Sequence, residues 1–314
     1  MKRKILIFGA GVIGSTYGGL LAKSGHAVTL VARNRRLGEL RENGLLIKRV
    51  SQENPEKIAV EIIDDSRLTG SYDYVFVTLR NEQVESSLST LSEINSPCFF
   101  FMVNNPSGYQ EWINALGYER VLPAFPGSGG KIENGIVHYD IISGFIQTTT
   151  LGELNGKYTK RLKDLKGILK KSGFNVSVSK HMDVWQKTHV AMVSPLGDVI
   201  YYDGGNNYTV SKNREAIRQM NLALKENFMF LRKSGIGIEP FKLNIISYLP
   251  LFILNPLMRL VFNTKWAETV ISNHALNAKQ EMDVITGEFL KLAESKGFKL
   301  HELPKLMNTR SAIR

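Results

Sequence analysis

The sequence predicts an α/β fold in its first part and an all-helical second part. Three observations carry this. Short apolar runs alternate with amphipathic stretches as far as His181; a glycine-rich turn, GAGVIG, follows the first of those runs; and beyond His181 strand-like runs give way to long helical periodicities. Strands that alternate with helices are the signature of a parallel sheet wrapped by helices, a doubly wound arrangement.

Element by element, strands are expected at Lys4–Gly9, Ala27–Ala32, Tyr74–Leu79, Pro97–Val103 and Val121–Phe125. Helices are expected over Val12–Lys23, with Gly25 as its stop, and over Glu82–Leu91. From Gly130 to Leu154 β-character returns, and Gly135–Tyr139 and Phe145–Thr149 read as antiparallel neighbours. A helix over Lys160–Lys171 and a strand at Asn175–Ser179 close this part. Asp183 with Gln186 forms a D-x-x-Q capping pattern, so a helix is predicted to open there. Further helices are predicted over Asn213–Lys233 and Asn273–Lys296, the latter ended by Gly297. The domain boundary is placed near residue 181, giving domains 1–181 and 182–314.

At 314 residues, 43% hydrophobic and 22% charged, the chain has the composition of an ordinary globular protein large enough for two cores. The basic residues Lys2-Arg3-Lys4 precede an apolar run too short and too quickly followed by glycines to be a secretory signal, which predicts a buried first strand and a cytoplasmic protein. The single cysteine, Cys98, lies in an apolar string and has no internal partner for a disulfide, as suits a reducing compartment. The net charge of +11 is scattered, with no basic tract and no nucleic-acid motif, so a small anionic ligand or a solubilising surface accounts for it and nucleic acid is not expected. The most hydrophobic stretch, Ile245–Phe262, contains two prolines, Asn255 and Arg259 and is too short to span a membrane. It is expected to be a buried helix or a subunit interface, with a homodimer as the matching assembly and no membrane partner. No metal site is expected.

Gly9, Gly11 and Gly14 form G-x-G-x-x-G between a strand and a helix, the context of a Rossmann-type dinucleotide-binding turn. Gly9 allows the tight turn, Gly11 admits the pyrophosphate and Gly14 lets helix and strand close together. With Val12 and Ile13 these residues form the predicted phosphate cradle at a helix N-terminus. Nineteen residues after Gly14, at the end of the second strand, an NAD site would carry a carboxylate; the sequence instead reads Val31-Ala32-Arg33-Asn34-Arg35-Arg36. Arg33 offers paired donors to a 2′-phosphate, so NADP(H) is the predicted cofactor. Thr78-Leu79-Arg80 and Asn104-Asn105-Pro106-Ser107-Gly108 end two further strands and are expected on the nicotinamide side.

In the helical part, Lys187 sits one and two turns before Ala191 and Ser194 on the same helix face. Pro195 deprives the Ala191 carbonyl of its helical partner, which predicts a kink. A lysine at such a place is either a proton donor tuned by burial or a side chain snorkelling to water. On the last long helix His274, Asn277, Glu281 and Glu288 form a polar stripe.

Taken together, GAGVIG with Val31-Ala32-Arg33, Thr78-Leu79-Arg80 with Gln83-Val84, the asparagine ending the next strand, Trp185-x-Lys187 and Glu281-Met-Asp283-Val-Ile-Thr-Gly287 make the chain resemble the ketopantoate reductases (2-dehydropantoate 2-reductases) over nearly its whole length. The resemblance implies a Rossmann domain followed by an all-helical, 6-phosphogluconate-dehydrogenase-like domain, and reduction of a 2-oxo acid by NADPH in pantothenate biosynthesis. It implies that Lys187 is the general acid, that Glu281 contacts the substrate hydroxyl region, and that Asn104 orients nicotinamide and substrate. It further implies that Leu79 and Arg80 lie by the cofactor, with Arg80 where the family usually has lysine, and that Ser272 and Ser194 belong to the substrate site. The family commonly has asparagines where this chain has Ala191 and Ser194, a departure that bears on substrate identity more than on redox chemistry. Two alternatives follow: a related oxidoreductase acting on another ketone or an imine, and a non-catalytic module that senses NADPH.

Overall fold

The computed structural model describes residues 2–68, 70–202, 204–272, 275–276 and 279–309. They form two compact units. One comprises the chain up to Val103 together with Tyr109–Met182, and the other comprises Asn104–Gly108 together with the chain from Asp183 onward.

The first unit is built on β1 (Lys4–Phe8), whose Ile5, Leu6, Ile7 and Phe8 are all buried. A strand covered on both faces reads as a continuous apolar run, and this one lies inside the sheet. β1 pairs in parallel with β2 (Ala27–Val31) on one side and β6 (Tyr74–Val77) on the other. Beyond β6 follow β7 (Phe99–Met102) and β8 (Val121–Phe125), both parallel, and beyond β2 lies β5 (Glu61–Ile63). The chain therefore leaves β1 first toward one edge and later toward the other. That reversal makes the carboxyl end of β1 the switch point at which open sheets of this kind take their ligands. Period-2 alternation splits the apolar side chains between two cores: Ile5 and Ile7 pack on one face of the sheet, Leu6 and Phe8 on the other.

α1 (Val12–Lys23) is buried on two sides, and its glycines explain how. A Cβ at Gly18 would lie 3.1 Å from Ile7 of the large sheet, and one at Gly19 would lie 2.9 Å from Ile47 of a second, four-stranded sheet. That second sheet consists of β3 (Leu45–Arg49), β4 (Glu56–Ile58), β9 (Ser128–Glu133) and β10 (Ile136–Ile141). It corrects the expected pairing of Gly135–Tyr139 with Phe145–Thr149. β10 pairs antiparallel with β9 through an Asn134-Gly135 turn in which both residues have positive φ, the geometry of a tight hairpin. Phe145 and Ile146 instead lie in a turn closed onto the Ser143 carbonyl. β11 (Thr149–Leu151) belongs to the large sheet, antiparallel to β8 and parallel to β12 (Val176–Val178). α2 (Asn34–Asn43), α3 (Asn81–Ser92), α4 (Gln110–Leu116) and α5 (Lys160–Lys171) complete this unit. Cys98 is buried beside β7, and burial pushes its thiol up to about 12.

The second unit is helical. α6 (Met182–Tyr202) starts one residue before Asp183, so Asp183 lies in its first turn and is not its N-cap. α6 continues through Pro195, and the Ala191 carbonyl accepts from Asn227 Nδ2 at 3.0 Å in a fully buried contact. Asn227 comes from α8 (Arg214–Lys233), which Asn213 caps by accepting from the Ala216 amide. α7 (Asn207–Lys212), α9 (Asn244–Tyr248), α10 (Leu251–Phe262), α11 (Lys265–Ala267), α12 (Lys279–Ser295) and α13 (Glu302–Thr309) make up the rest. The helix expected over Asn273–Lys296 is seen as α12, while His274 and Asn277 of the expected stripe lie outside the described residues.

The expectation of a buried helix at Ile245–Phe262 is corrected. The segment is two helices bent by 118°, and of α10 only Leu254 and Phe262 are buried. Among the described residues no single helix is long and apolar enough to cross a membrane.

Candidate active site

Gly9, with φ of +117°, ends β1 in a backbone conformation that side chains rarely adopt. A Cβ at Gly14 would stand 1.9 Å from the Gly9 carbonyl and 2.5 Å from Thr78 Oγ1, so only glycine lets α1 approach the strand this closely. A Cβ at Gly11 would meet nothing within 4 Å. The loop is thus tight on its protein side and open above Gly11. No side chain caps the start of α1 and no acidic residue lies in its first turn. Its amides and the positive end of its dipole are available to an anion. Gly11 is exposed there, and Val12 and Ile13 are half-buried beside it.

Two residues hold the loop that sequence reasoning did not assign. Thr78 Oγ1 donates to the Gly9 carbonyl at 2.8 Å. Arg36 Nε donates to the Ala10 carbonyl at 3.2 Å and its Nη1 to the Gly135 carbonyl at 3.0 Å. Thr78 opens the Thr78-Leu79-Arg80 motif, which places it near the cofactor but does not name the carbonyl it holds; Arg36 lies in the basic run after β2, where nothing local distinguishes it from Arg33 or Arg35. Leu79 touches the loop, with its Cδ2 3.1 Å from the place a Gly9 Cβ would take. Arg80 is exposed and caps α3 with its backbone, donating its amide to Gln83 Oε1 at 3.2 Å.

Arg33 lies at the end of β2, its guanidinium 5.6 Å from the Phe8 ring centroid and 2.8 Å from Asp65. The sequence window around Arg33 holds no carboxylate, yet the fold supplies one from thirty-two residues downstream.

In the helical unit, Lys187 is only 8% exposed and its ammonium is ion-paired with Asp183 one turn earlier. It does not snorkel to water. Asn104 Nδ2 donates to Glu281 Oε1 at 2.7 Å, while Asn104 Oδ1 is buried without a hydrogen-bond partner. Asn105 holds the loop that carries Asn104, accepting from the amides of Ser107 and Gly108 and donating to the Gly108 carbonyl. Lys187 with Asp183 and Asn104 with Glu281 are therefore two separate polar pairs. Ser194 is fully buried with its hydroxyl unpartnered. Ser272 is buried and donates to Asn207 Oδ1, and Asn207 in turn donates to the Phe262 and Thr264 carbonyls. The Ser272 hydroxyl is thus committed to joining helices.

A doubly wound sheet with a glycine-rich turn at its switch point, followed by a helical unit, defines a Rossmann-type protein with a helical C-terminal domain. Residues 5–156 match the profile of one family, ketopantoate reductase PanE/ApbA. The chain is 26% identical over 240 residues to a 2-dehydropantoate 2-reductase of Pyrococcus horikoshii, an alignment covering 72% of this chain and 75% of the relative. Its fold is shared with the crystal structure of 2-dehydropantoate 2-reductase from Geobacter metallireducens (TM-score 0.78, 17% identity, 99% of this chain and 100% of the other). It is also shared with D-mandelate dehydrogenase in its ternary structure with NADH and anilino(oxo)acetate (TM-score 0.75, 17% identity, 98% and 97% covered). The chain is thus similar in sequence to 2-dehydropantoate 2-reductases and shares the fold of these solved structures.

Proposed function

We propose that this chain is an NADPH-dependent reductase of a small 2-oxo acid, with ketopantoate as the first substrate to test. Residues 1–181 would bind the cofactor and 182–314 the substrate. The observation that supports the reading is Lys187, whose ammonium is drawn out of water on α6 and ion-paired with Asp183, a setting that suits a proton donor. NADPH, when bound, supplies the hydride. Gly9, Gly11, Val12, Ile13 and Gly14 hold its pyrophosphate and Arg33 its 2′-phosphate, with Leu79, Arg80 and Asn104 completing the cofactor contacts. Lys187 Nζ gives the carbonyl oxygen its proton, so that charge developing on that oxygen is met by a cation in a water-poor setting. Glu281, fixed by the Asn104 amide, accepts from a hydroxyl of the substrate.

A second substrate class is favoured by one observation. At Ala191 and Ser194 the chain has no amide side chain, and Asn227, whose amide reaches the Ala191 backbone, donates there inside the fold. A buried pocket without a matching polar group discriminates against a substrate that needs one. Another 2-oxo acid, a ketone or an imine would then be the better substrate.

The test is to mix the protein with NADPH and ketopantoate and follow oxidation of the nicotinamide, with Lys187→Ala in parallel. On the proposed reading Lys187→Ala lowers kcat by roughly 10²–10⁴-fold, the range of general acid catalysis, and leaves NADPH affinity within about twofold. Unchanged turnover removes Lys187 from the mechanism. Tight NADPH binding with no turnover on any 2-oxo acid leaves a cofactor sensor.

A further inference from the structure

Lysines spread along the sequence are gathered by one helix of the first unit. Between Leu154 and Met182 the chain has eight cations and one carboxylate. Arg161 is taken up by Glu153, and the carboxylate, Asp164, is held by Arg3 and by the Tyr74 hydroxyl, which donates to it at 2.9 Å. The exposed residues of α5 are Lys160, Lys163, Lys170 and Lys171 with Gly167 among them, a stripe about 100° wide at 3.6 residues per turn. None of these four lysines has a carboxylate partner among the described residues. Exposed cations on α2, α8 and α13 do pair one turn away, Arg35 with Glu39, Arg218 with Glu215 and Lys305 with Glu302.

The stripe costs the helix stability. Lys160 and Lys163 are like charges one turn apart, and they stand at the amino-terminal end of a helix whose first turn holds no acid. Nothing within the fold offsets this, so the compensating charge is expected from outside it.

Beyond the carboxyl-terminal end of α5 stands an apolar tip. Phe145 is 95% exposed and Ile146 46%, in the turn closed onto the Ser143 carbonyl. Asn175, four residues after Lys171, braces that turn: its Nδ2 donates to the Ile142 carbonyl at 3.0 Å, and a Cβ at Gly144 would lie 3.4 Å from its side chain. A fixed turn thus holds a phenylalanine out in water at the lysine-bearing end of the helix.

We propose that α5 and the Phe145 turn dock together on an anionic phospholipid surface, with the lysine ammoniums on lipid phosphates and Phe145 and Ile146 entering the headgroup boundary. Two features select this occupant over another polyanion. The first is the apolar tip, since attachment to such a surface combines buried apolar area with attraction to anionic lipids. Tyr158, 57% exposed with Lys166 Nζ 5.7 Å from its ring centroid, adds an aromatic of the kind found at headgroup level. The second is the all-lysine, convex stripe. Nucleic acid is met by the paired donors of arginine and by grooves with stacking platforms, whereas lysines are point charges suited to phosphates of no fixed spacing. Docking of this kind lies on a bilayer and needs no spanning helix.

The experiment is flotation of the full chain with vesicles. Phosphatidylcholine vesicles carrying about 30% phosphatidylglycerol should carry the protein at about 0.05 M salt, and about 0.5 M salt should release it by screening. Vesicles of phosphatidylcholine alone should leave it behind. Lys160→Gln, Lys163→Gln, Lys170→Gln and Lys171→Gln combined should weaken binding at least about tenfold, since each lysine near such a surface contributes about fivefold. Phe145→Ser alone should weaken it roughly tenfold, the loss of one buried aromatic side chain. Both variants should keep the circular dichroism spectrum of the wild type. A chain that fails to float with the anionic vesicles overturns the proposal. Flotation that either variant leaves unchanged overturns it too, because another face then makes the contact. Tighter binding to a duplex oligonucleotide than to the anionic vesicles at equal salt also overturns it, and assigns the stripe to nucleic acid.

Discussion

Arg33 is claimed by two partners of opposite use to a phosphate. The ring of Phe8 steadies its guanidinium, while Asp65 at 2.8 Å neutralises it and places a carboxylate where a 2′-phosphate is proposed to bind. A carboxylate at that position repels phosphate and accepts from free ribose hydroxyls. Preference for NADPH over NADH would then be set by how far Arg33 outweighs Asp65. The pair is half exposed, so its strength is about 1 kcal/mol or less. Asp65→Asn should raise the ratio of NADPH to NADH affinity by roughly fivefold, about that energy, and Arg33→Ala should lower it. Fluorescence titration of the reduced cofactors reads both. Equal affinities in the wild-type chain, unmoved by either substitution, would take the 2′-phosphate away from Arg33.

At the scale of elements, the joint between α6 and α8 decides whether the helix bearing Lys187 keeps its shape. Pro195 removes the intrahelical donor to Ala191, and Asn227 replaces it from the neighbouring helix. Asn227→Leu would leave the Ala191 carbonyl buried and unpaired. It should cost about 1–3 kcal/mol in denaturant unfolding, whereas adding Pro195→Ala, which restores the helical amide, should recover part of the loss. Equal destabilisation in the two backgrounds would show that the contact is incidental. That a carbonyl would need a donor was legible from Pro195 alone; which residue supplied it was not, because Asn227 is thirty-six positions away. The same division runs through the fold. β1, α1 and the glycine turn could be read directly, since their signals are local and strong. The four-stranded sheet could not, because alternation along Gly135–Tyr139 announces a strand without naming its partner, and it was the Asn134-Gly135 turn that chose β9. Lys187 and Glu281 are proposed from motifs, whereas Thr78 and Arg36 act on the glycine loop through contacts that folding creates. The apolar run Ile245–Phe262 reads equally as a buried helix or a subunit interface, because hydropathy records how much surface is apolar and not which way it faces.

Among the described residues of the whole molecule, the apolar clusters fall into two sets that share no residue. Ile5, Phe76, Phe100 and Leu165 belong to the first unit, and Val190, Phe228, Phe230 and Phe289 to the second. Each unit thus has a core of the kind that supports cooperative unfolding on its own. On the proposed reading NADPH contacts are concentrated on the glycine turn and on Arg33, all in the first unit. A ligand that binds only the folded state stabilises whatever must be folded to hold it, by about 2.7 kcal/mol at a hundred times its Kd. Scanning calorimetry should therefore show two transitions, with saturating NADPH raising one and leaving the other nearly in place. Gly14→Ala identifies which is which, since a Cβ there collides with the Gly9 carbonyl and should lower the transition that NADPH raises. If NADPH instead raises both transitions equally, the helical unit contributes as much to holding the cofactor as the sheet does. Asn104, carried on the short loop that groups with the helical unit, would then be the first residue to replace.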